Sequence, residues 1–178
     1  MALFTGKGDG GTTKAFGCDQ QRISKSSELP EALGSLDELN AFLGFVKMRA
    51  VEVPRIQEIV RGTQEQLFIV QAEVAGADKR LAAGSVADVE KLVNEIENEI
   101  PPIKSFSIAG GTELSAMLDV ARTLARRAER RIVAVIEGGF REVAPETKAY
   151  MNRLSSLLFA LARLANHLAG VAEENPKY

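Results

Sequence analysis

Between Thr112 and Gly138 the chain can be little other than an amphipathic helix. Leu118, Ala121, Ala125, Ala128, Ile132 and Val135 recur at three- and four-residue spacing, which at about 100° per residue puts them on one stripe. Thr112 stands where an N-cap belongs, and Gly138-Gly139 where a helix stops. A stripe of this length must be covered by other helices, and the rest of the chain offers four. One runs from about 30 to 50, opened by Pro30 near N1, with Leu33, Leu36, Leu39, Leu43 and Val46 at helical spacing. Pro54 starts the next. Another begins at Ser85, with Asp88 where a capping box carries Glu or Gln, and stops at Pro101-Pro102. The last spans about Pro145 to Gly170 and holds "YMNRLSSLLFALARLANHL". Short connections between long amphipathic helices predict an all-α fold, a five-helix antiparallel bundle. No repeat, low-complexity stretch or linker divides it, so one domain is expected over residues 1–178.

Several function classes fall away. The net charge of -2 is not that of a nucleic-acid polycation. Cys18 is the only cysteine, which leaves no internal disulfide and no multi-cysteine zinc site. No apolar run approaches a membrane span, and "MALFTGKGDGG" has no secretory h-region, so the chain reads as cytoplasmic. The single histidine, His167, reads as a surface or packing residue, and no Ser/His or Cys/His nucleophile pair is available. A di-iron bundle needs Glu-x-x-His pairs, and the residue three before His167 is Leu164.

The helix around 113–137 also carries five arginines between Arg122 and Arg131. Arg122, Arg126 and Arg130 lie four apart beside the apolar stripe, with Asp119 and Glu129 on the same face. Arg127 and Arg131 point elsewhere, towards solvent on an isolated bundle. Two readings stay open here. One is a solvated basic face with pairs among Arg126, Glu129 and Arg130 worth about 0.3 kcal/mol each. The other is a row of forked cations awaiting phosphate or a partner chain's carboxylate.

"TGKGDGGTTK", Thr5 to Lys14, raises the matching question. Gly6, Gly8, Gly10 and Gly11 let backbone N–H groups converge on an anion, and Lys7, Lys14 and Lys25 supply charge. Gly6-x-Gly8-x-x-Gly11 has no strand before it and no helix after it, so it is no dinucleotide fingerprint, and no Walker A pattern exists. A phosphate loop and a flexible tail are both compatible with this composition.

"TGKGDGGTT", "ALGSLDELNAFLG", "ARTLARRAER" and "YMNRLSSLLFALAR" together, in this order from Phe4 to about Asn166, resemble the PduO-type ATP:cob(I)alamin adenosyltransferases. The resemblance implies a homotrimeric five-helix bundle with active sites between subunits. It implies transfer of the 5′-deoxyadenosyl group of ATP to the cobalt of a reduced corrinoid (cobalamin), with Mg²⁺ accompanying the triphosphate. Residues 1–27 become the nucleotide-binding segment, with ATP contacts at Thr5, Gly6, Lys7 and Gly8, then Thr13, Lys14 and Lys25. Arg126, Glu129, Arg130 and Asn152 match further nucleotide contacts. Asp37 and Arg122 match a pair that joins neighbouring subunits, and Phe106 matches an aromatic residue on the corrinoid side. No metal-ligating residue is assigned. A corrinoid reductase or a B12-dependent enzyme is an implied partner; nucleic acid and membrane are not. The chain departs from the family's pattern at Ala109, where Pro is common, at Ser156, where Asp is frequent, and in a longer loop between Phe16 and Lys25. Two other classes compete with the enzyme: a non-catalytic ATP-binding regulatory relative, and a helical scaffold or nucleic-acid binder using the arginine face.

Overall fold

A computed structural model describes residues 3–16 and 21–178; Cys18 and its immediate neighbours lie outside them. Among the described residues there are five helices, α1 (Glu28–Arg49), α2 (Pro54–Ala75), α3 (Ser85–Glu99), α4 (Glu113–Glu137) and α5 (Pro145–Leu168). Two short strands precede them, β1 (Thr12–Lys14) and β2 (Arg22–Ser24), paired antiparallel with Thr13 opposite Ile23.

Cross-helix ion pairs give the directions. Arg49 at the end of α1 meets Glu113 at the start of α4, while Glu31 near the start of α1 meets Arg131 far along α4. α1 and α4 are therefore antiparallel. Glu90 of α3 meets Arg153 of α5, and the Pro101 carbonyl just past α3 accepts from Arg163, ten residues further along α5. α3 and α5 thus run parallel, as two odd-numbered helices of an up-and-down chain must when they become neighbours. α4 and α5 pack together, and α1 bridges α2 and α4.

The α4 stripe is the core face that the spacing predicts: Leu118, Ala121, Ala125, Ala128, Ile132 and Val135 are all buried. On α1, Leu36, Leu39, Leu43 and Val46 are buried, and Leu33 is half-buried at the edge. α5 is buried almost all round between Leu157 and Asn166, because α4 and α3 flank it and α2 touches it. No helix of the described residues is long and apolar enough to cross a membrane.

Helix ends differ from the sequence reading in small ways. α1 starts two residues before Pro30, and α5 stops two residues before Gly170. α3 has no side-chain cap: its N-cap is Gly84 at φ 96°, and the Asp88 N–H donates to the Gly84 carbonyl. Glycine holds that left-handed position without Cβ strain, which leaves Ser85 inside the helix. Thr112 caps α4 as expected, accepting from the Ser115 N–H at 3.1 Å. Thr112→Ala is expected to cost about 1 kcal/mol and to lower the thermal midpoint by roughly 3 °C. An unchanged melting curve would show that water caps α4 equally well.

Candidate functional site

Arg126, Glu129, Arg130 and Val133 follow one another at helical spacing on α4, and Asn152 faces them from α5. With Ala134 and Glu137 they line an open groove of about 400 Å³. Asn152 Nδ2 donates to Glu129 Oε1 at 2.9 Å. Arg130 Nη1 donates to the Arg126 carbonyl at 3.1 Å and forms no ion pair with Glu129 among the described residues. The exposed Arg126 guanidinium makes no hydrogen bond or ion pair among the described residues. Two like charges one turn apart repel, and although Glu129 and Glu137 share the groove, no carboxylate among the described residues pairs with Arg126. An anion with oxygens spaced for guanidinium forks, such as a phosphate, fits this position.

The neighbouring arginines are already engaged. Arg122 Nε donates to Asp119 Oδ1 at 3.1 Å, and its guanidinium lies 5.8 Å from the Phe159 ring centroid. Arg127 pairs with Glu38, and Arg131 with Glu31 at 3.2 Å. Both side chains are nearly half exposed, as a solvent-facing bearing implies, and both also reach across to α1. A single-helix wheel gives a side chain's bearing, but not the helix that lies beyond it. Asp37, the neighbour of Glu38 on α1, is exposed and has no ion pair among the described residues. It lines a shallow groove between α1 and α2 beside Phe68, which is 66% exposed.

The glycine-rich segment is a built loop. The Asp9 N–H donates to the Gly6 carbonyl at 3.2 Å and the Gly11 N–H to the Gly8 carbonyl at 3.1 Å, two successive turns. Gly6 and Gly11 have φ of 67° and 75°, which only glycine adopts freely. The Lys25 N–H donates to the Gly11 carbonyl at 2.9 Å, and Lys25 Nζ lies 3.1 Å from where a Cβ on Gly8 would stand. Arg22 clamps Thr12 through its hydroxyl at 2.8 Å and its carbonyl at 2.6 Å. Lys7, Lys14 and Lys25 are exposed, Thr5 is exposed and Thr13 half-buried.

The loop packs at the bundle end that holds the α4–α5 connection, where the Phe16 carbonyl accepts from Arg141 at 3.0 Å. No hydrogen bond or ion pair joins it to the Arg126 groove among the described residues. Phe106 lies towards the other end, in the connection from α3 to α4, and is 80% exposed beside the exposed Ile103 and Ile108. It therefore does not cap the core. The helical rise from Thr112 to Arg126 is about 21 Å. The Phe106 connection thus lies well away from Arg126, whereas the loop and the Glu137 side of the groove share the α4–α5 end without a hydrogen bond between them among the described residues.

Sequence reasoning missed what holds the Phe106 connection. Asn166 Oδ1 accepts from the Thr112 N–H at 2.9 Å, and its Nδ2 donates to the Gly110 carbonyl at 2.8 Å. Gly111, at φ 101°, has no room for a Cβ, which would stand 2.6 Å from Asn166 Oδ1. Buried Arg163 donates to the Pro101 carbonyl at 2.7 Å and pairs with Glu173 at 2.6 Å. The available signal was an Arg and an Asn within the otherwise apolar run 157–166.

Acid–base candidates are few. Burial pushes the Tyr150 phenol well above its usual range, against a hydrogen bond with Thr63 that lowers it. Tyr150 lies between α2, α3 and α5, away from the groove. His167 is exposed at the end of α5. Among the described residues no group of three or more carboxylate, imidazole or thiol side chains could hold a metal ion. A magnesium ion arriving with a nucleotide would find no protein cage in the groove.

Residues 3–165 match the family model described as cobalamin adenosyltransferase. A corrinoid adenosyltransferase PduO from Citrobacter freundii is 38% identical over 94% of this chain, which spans only 50% of that relative's length. A corrinoid adenosyltransferase from Bacillus subtilis is 33% identical, with 97% of this chain and 91% of that one covered. In three dimensions, a variant PduO-type ATP:corrinoid adenosyltransferase from Lactobacillus reuteri, complexed with cobalamin and ATP, has a TM-score of 0.91 to this chain. It is 28% identical and covers 99% of this chain and 97% of its own.

Proposed function

Since the chain belongs to the cobalamin adenosyltransferase family, we propose that it transfers the 5′-deoxyadenosyl group of ATP to the cobalt of a reduced corrinoid and releases triphosphate. The observation that carries this reading is the Arg126 guanidinium without a partner among the described residues, set in a groove with Arg130 and the Glu129–Asn152 pair. A cobalt(I) substrate is its own nucleophile. Its electron pair forms the Co–C5′ bond, and the C5′–O bond breaks with its pair leaving on triphosphate. The protein then has to orient ATP and stabilise the departing charge. Arg126 and Arg130 meet the phosphates from α4, and Lys7, Lys14 and Lys25 meet them from the loop, whose Thr5, Gly6, Gly8 and Thr13 follow the backbone turns. Phe106 offers an apolar face to the corrinoid and keeps water from its lower side. Magnesium would be held by phosphate oxygens, and no step is assigned to it.

We take residues 1–178 as one domain with residues 1–27 as its nucleotide segment, acting as a homotrimer in the cytoplasm, with a corrinoid reductase or B12-dependent enzyme as partner. A trimer would bring a neighbour's glycine-rich loop to this chain's groove, to which the chain's own loop makes no hydrogen bond or ion pair among the described residues. Asp37 and the exposed Phe68 mark the contact face on α1 and α2. A guanidinium has five donors, so Arg122 can keep Asp119 and still take Asp37 of the next copy. Asp37→Ala and Arg122→Ala are each expected to weaken trimer and activity together, and the double variant to be no worse than either single. Additive losses in sedimentation and turnover would break the pair.

The direct test is an anaerobic assay with ATP, Mg²⁺ and chemically reduced cobalamin, following loss of the Co(I) absorbance. Turnover is expected. A folded protein that binds ATP without turnover would be a regulatory relative, and salt-dependent DNA binding would favour the scaffold reading.

A further inference from the structure

We propose that Arg153 and Glu90 are positioning residues for the groove, acting through Asn152. The inference rests on the reading of that groove as an ATP site. The Asn152 carboxamide stands between Glu129 on α4 and Arg153, the next residue on α5. Its Nδ2 donates to Glu129 Oε1 at 2.9 Å, and its Oδ1 accepts from Arg153 Nη1 at 2.7 Å. A carboxylate only accepts and a guanidinium only donates. One of the two amide orientations satisfies both neighbours; the flipped one would oppose donor to donor and acceptor to acceptor. Arg153 is in turn held by Glu90 on α3, whose Oε1 accepts from Arg153 Nε at 2.8 Å. A relay therefore crosses three helices, from Glu90 through Arg153 and Asn152 to Glu129, and ends in the groove.

With its amide held in this way, Asn152 keeps one N–H, and Glu129 its Oε2, without a partner among the described residues and open to a ligand. A nucleotide meets a donor and an acceptor already in place, so binding does not have to order them. Burial argues the same way. The Arg153 and Glu90 side chains are 45% and 46% exposed, and ion pairs in that setting add little to folding. What the pair does for the molecule should show in nucleotide binding rather than in stability.

The test uses the full chain, with ATP binding by calorimetry, kcat and KM for ATP in the anaerobic assay, and thermal melting. Arg153→Ala is expected to raise the ATP Kd and KM about tenfold, to leave kcat within about twofold, and to shift the midpoint by no more than about 2 °C. Glu90→Gln should raise Kd by about threefold, because Arg153 stays beside Asn152. Arg153→Lys should recover part of the loss, since an ammonium keeps the charge but lacks the fork that reaches Glu90 and Asn152 together. In an Asn152→Ala background, adding Arg153→Ala is expected to change Kd by less than about twofold. A further tenfold rise there would mean that Arg153 meets the nucleotide itself and would overturn the proposal. So would an unchanged Kd for Arg153→Ala, or losses of kcat that track a fallen midpoint. An unsubstituted protein that fails to bind ATP would overturn the reading of the groove itself, and needs no variant to be seen.

Discussion

Arg126→Ala is expected to lower kcat/KM for adenosyl transfer at least about a hundredfold while the protein folds as before. The two halves of this expectation have separate grounds. Arg126 is exposed and has no partner among the described residues, so truncation strands no buried group. Arg130 sits one turn away, and removing one of two like charges at that spacing relieves repulsion of about 0.3 kcal/mol. The melting midpoint should therefore hold or rise slightly. For catalysis, hydrogen bonds to a charged group contribute about 1.5–3 kcal/mol each, and a forked guanidinium offers two to one phosphate. The charge on that phosphate grows as the C5′–O bond breaks, so the loss falls mainly on kcat. Arg126→Lys keeps the charge without the fork and should lie between. Anaerobic kinetics and thermal melting check both halves. Turnover near that of the unsubstituted protein would remove Arg126 from the triphosphate.

The helices were legible because each carries its own period. The α4 stripe from Leu118 to Val135 is buried as its spacing predicts, and Thr112 caps where its residue type suggests. The glycine-rich segment was legible only in part: its composition left loop and tail both open, and the turns with positive φ at Gly6 and Gly11 are what its glycines serve. Periodicity says how a side chain points relative to its own helix. It does not say which helix lies beyond, so Arg127 and Arg131 gave no sign of Glu38 and Glu31, and the parallel pairing of α3 with α5 had no local signature. Buried polar anchors were hidden likewise. Asn166 and Arg163 read as interruptions in an apolar helix until the 100–112 connection is laid over them. The loop, the groove residues and Phe106 stood in the sequence as separate features, and only the family resemblance joined them into one proposed site. How the loop, the groove and Phe106 sit relative to one another depends on tertiary packing, of which helical periodicity holds no record.

Glu73→Ala is expected to cost the fold about 3 kcal/mol, the largest stability loss among these substitutions, and to lower the thermal midpoint by roughly 6–12 °C. Glu73 lies near the end of α2 with its side chain fully buried. Its Oε1 accepts from the Ala144 N–H and its Oε2 from the Thr147 hydroxyl, both at 2.6 Å. Ala144 is the N-cap of α5 and has no side-chain oxygen to offer, so a carboxylate from another helix serves the positive end of α5 instead. Arg80 Nε, 3.5 Å from Oε1 on a half-exposed side chain, balances its charge from the solvent side. Truncation would leave the Ala144 N–H and the Thr147 hydroxyl without their acceptor. Glu73→Gln keeps the shape and one acceptor, and the Thr147 hydroxyl can rotate to accept from the new amide, so about half the loss is expected. The effect should reach the groove as well. Asn152 sits only two turns into α5, and a frayed start of that helix would move it relative to Glu129. KM for ATP in Glu73→Gln should therefore rise more steeply with temperature than in the unsubstituted protein, before global unfolding. Parallel temperature profiles would confine Glu73 to stability, and a Glu73→Ala midpoint within about 1 °C of the original would show that α5 is held without it.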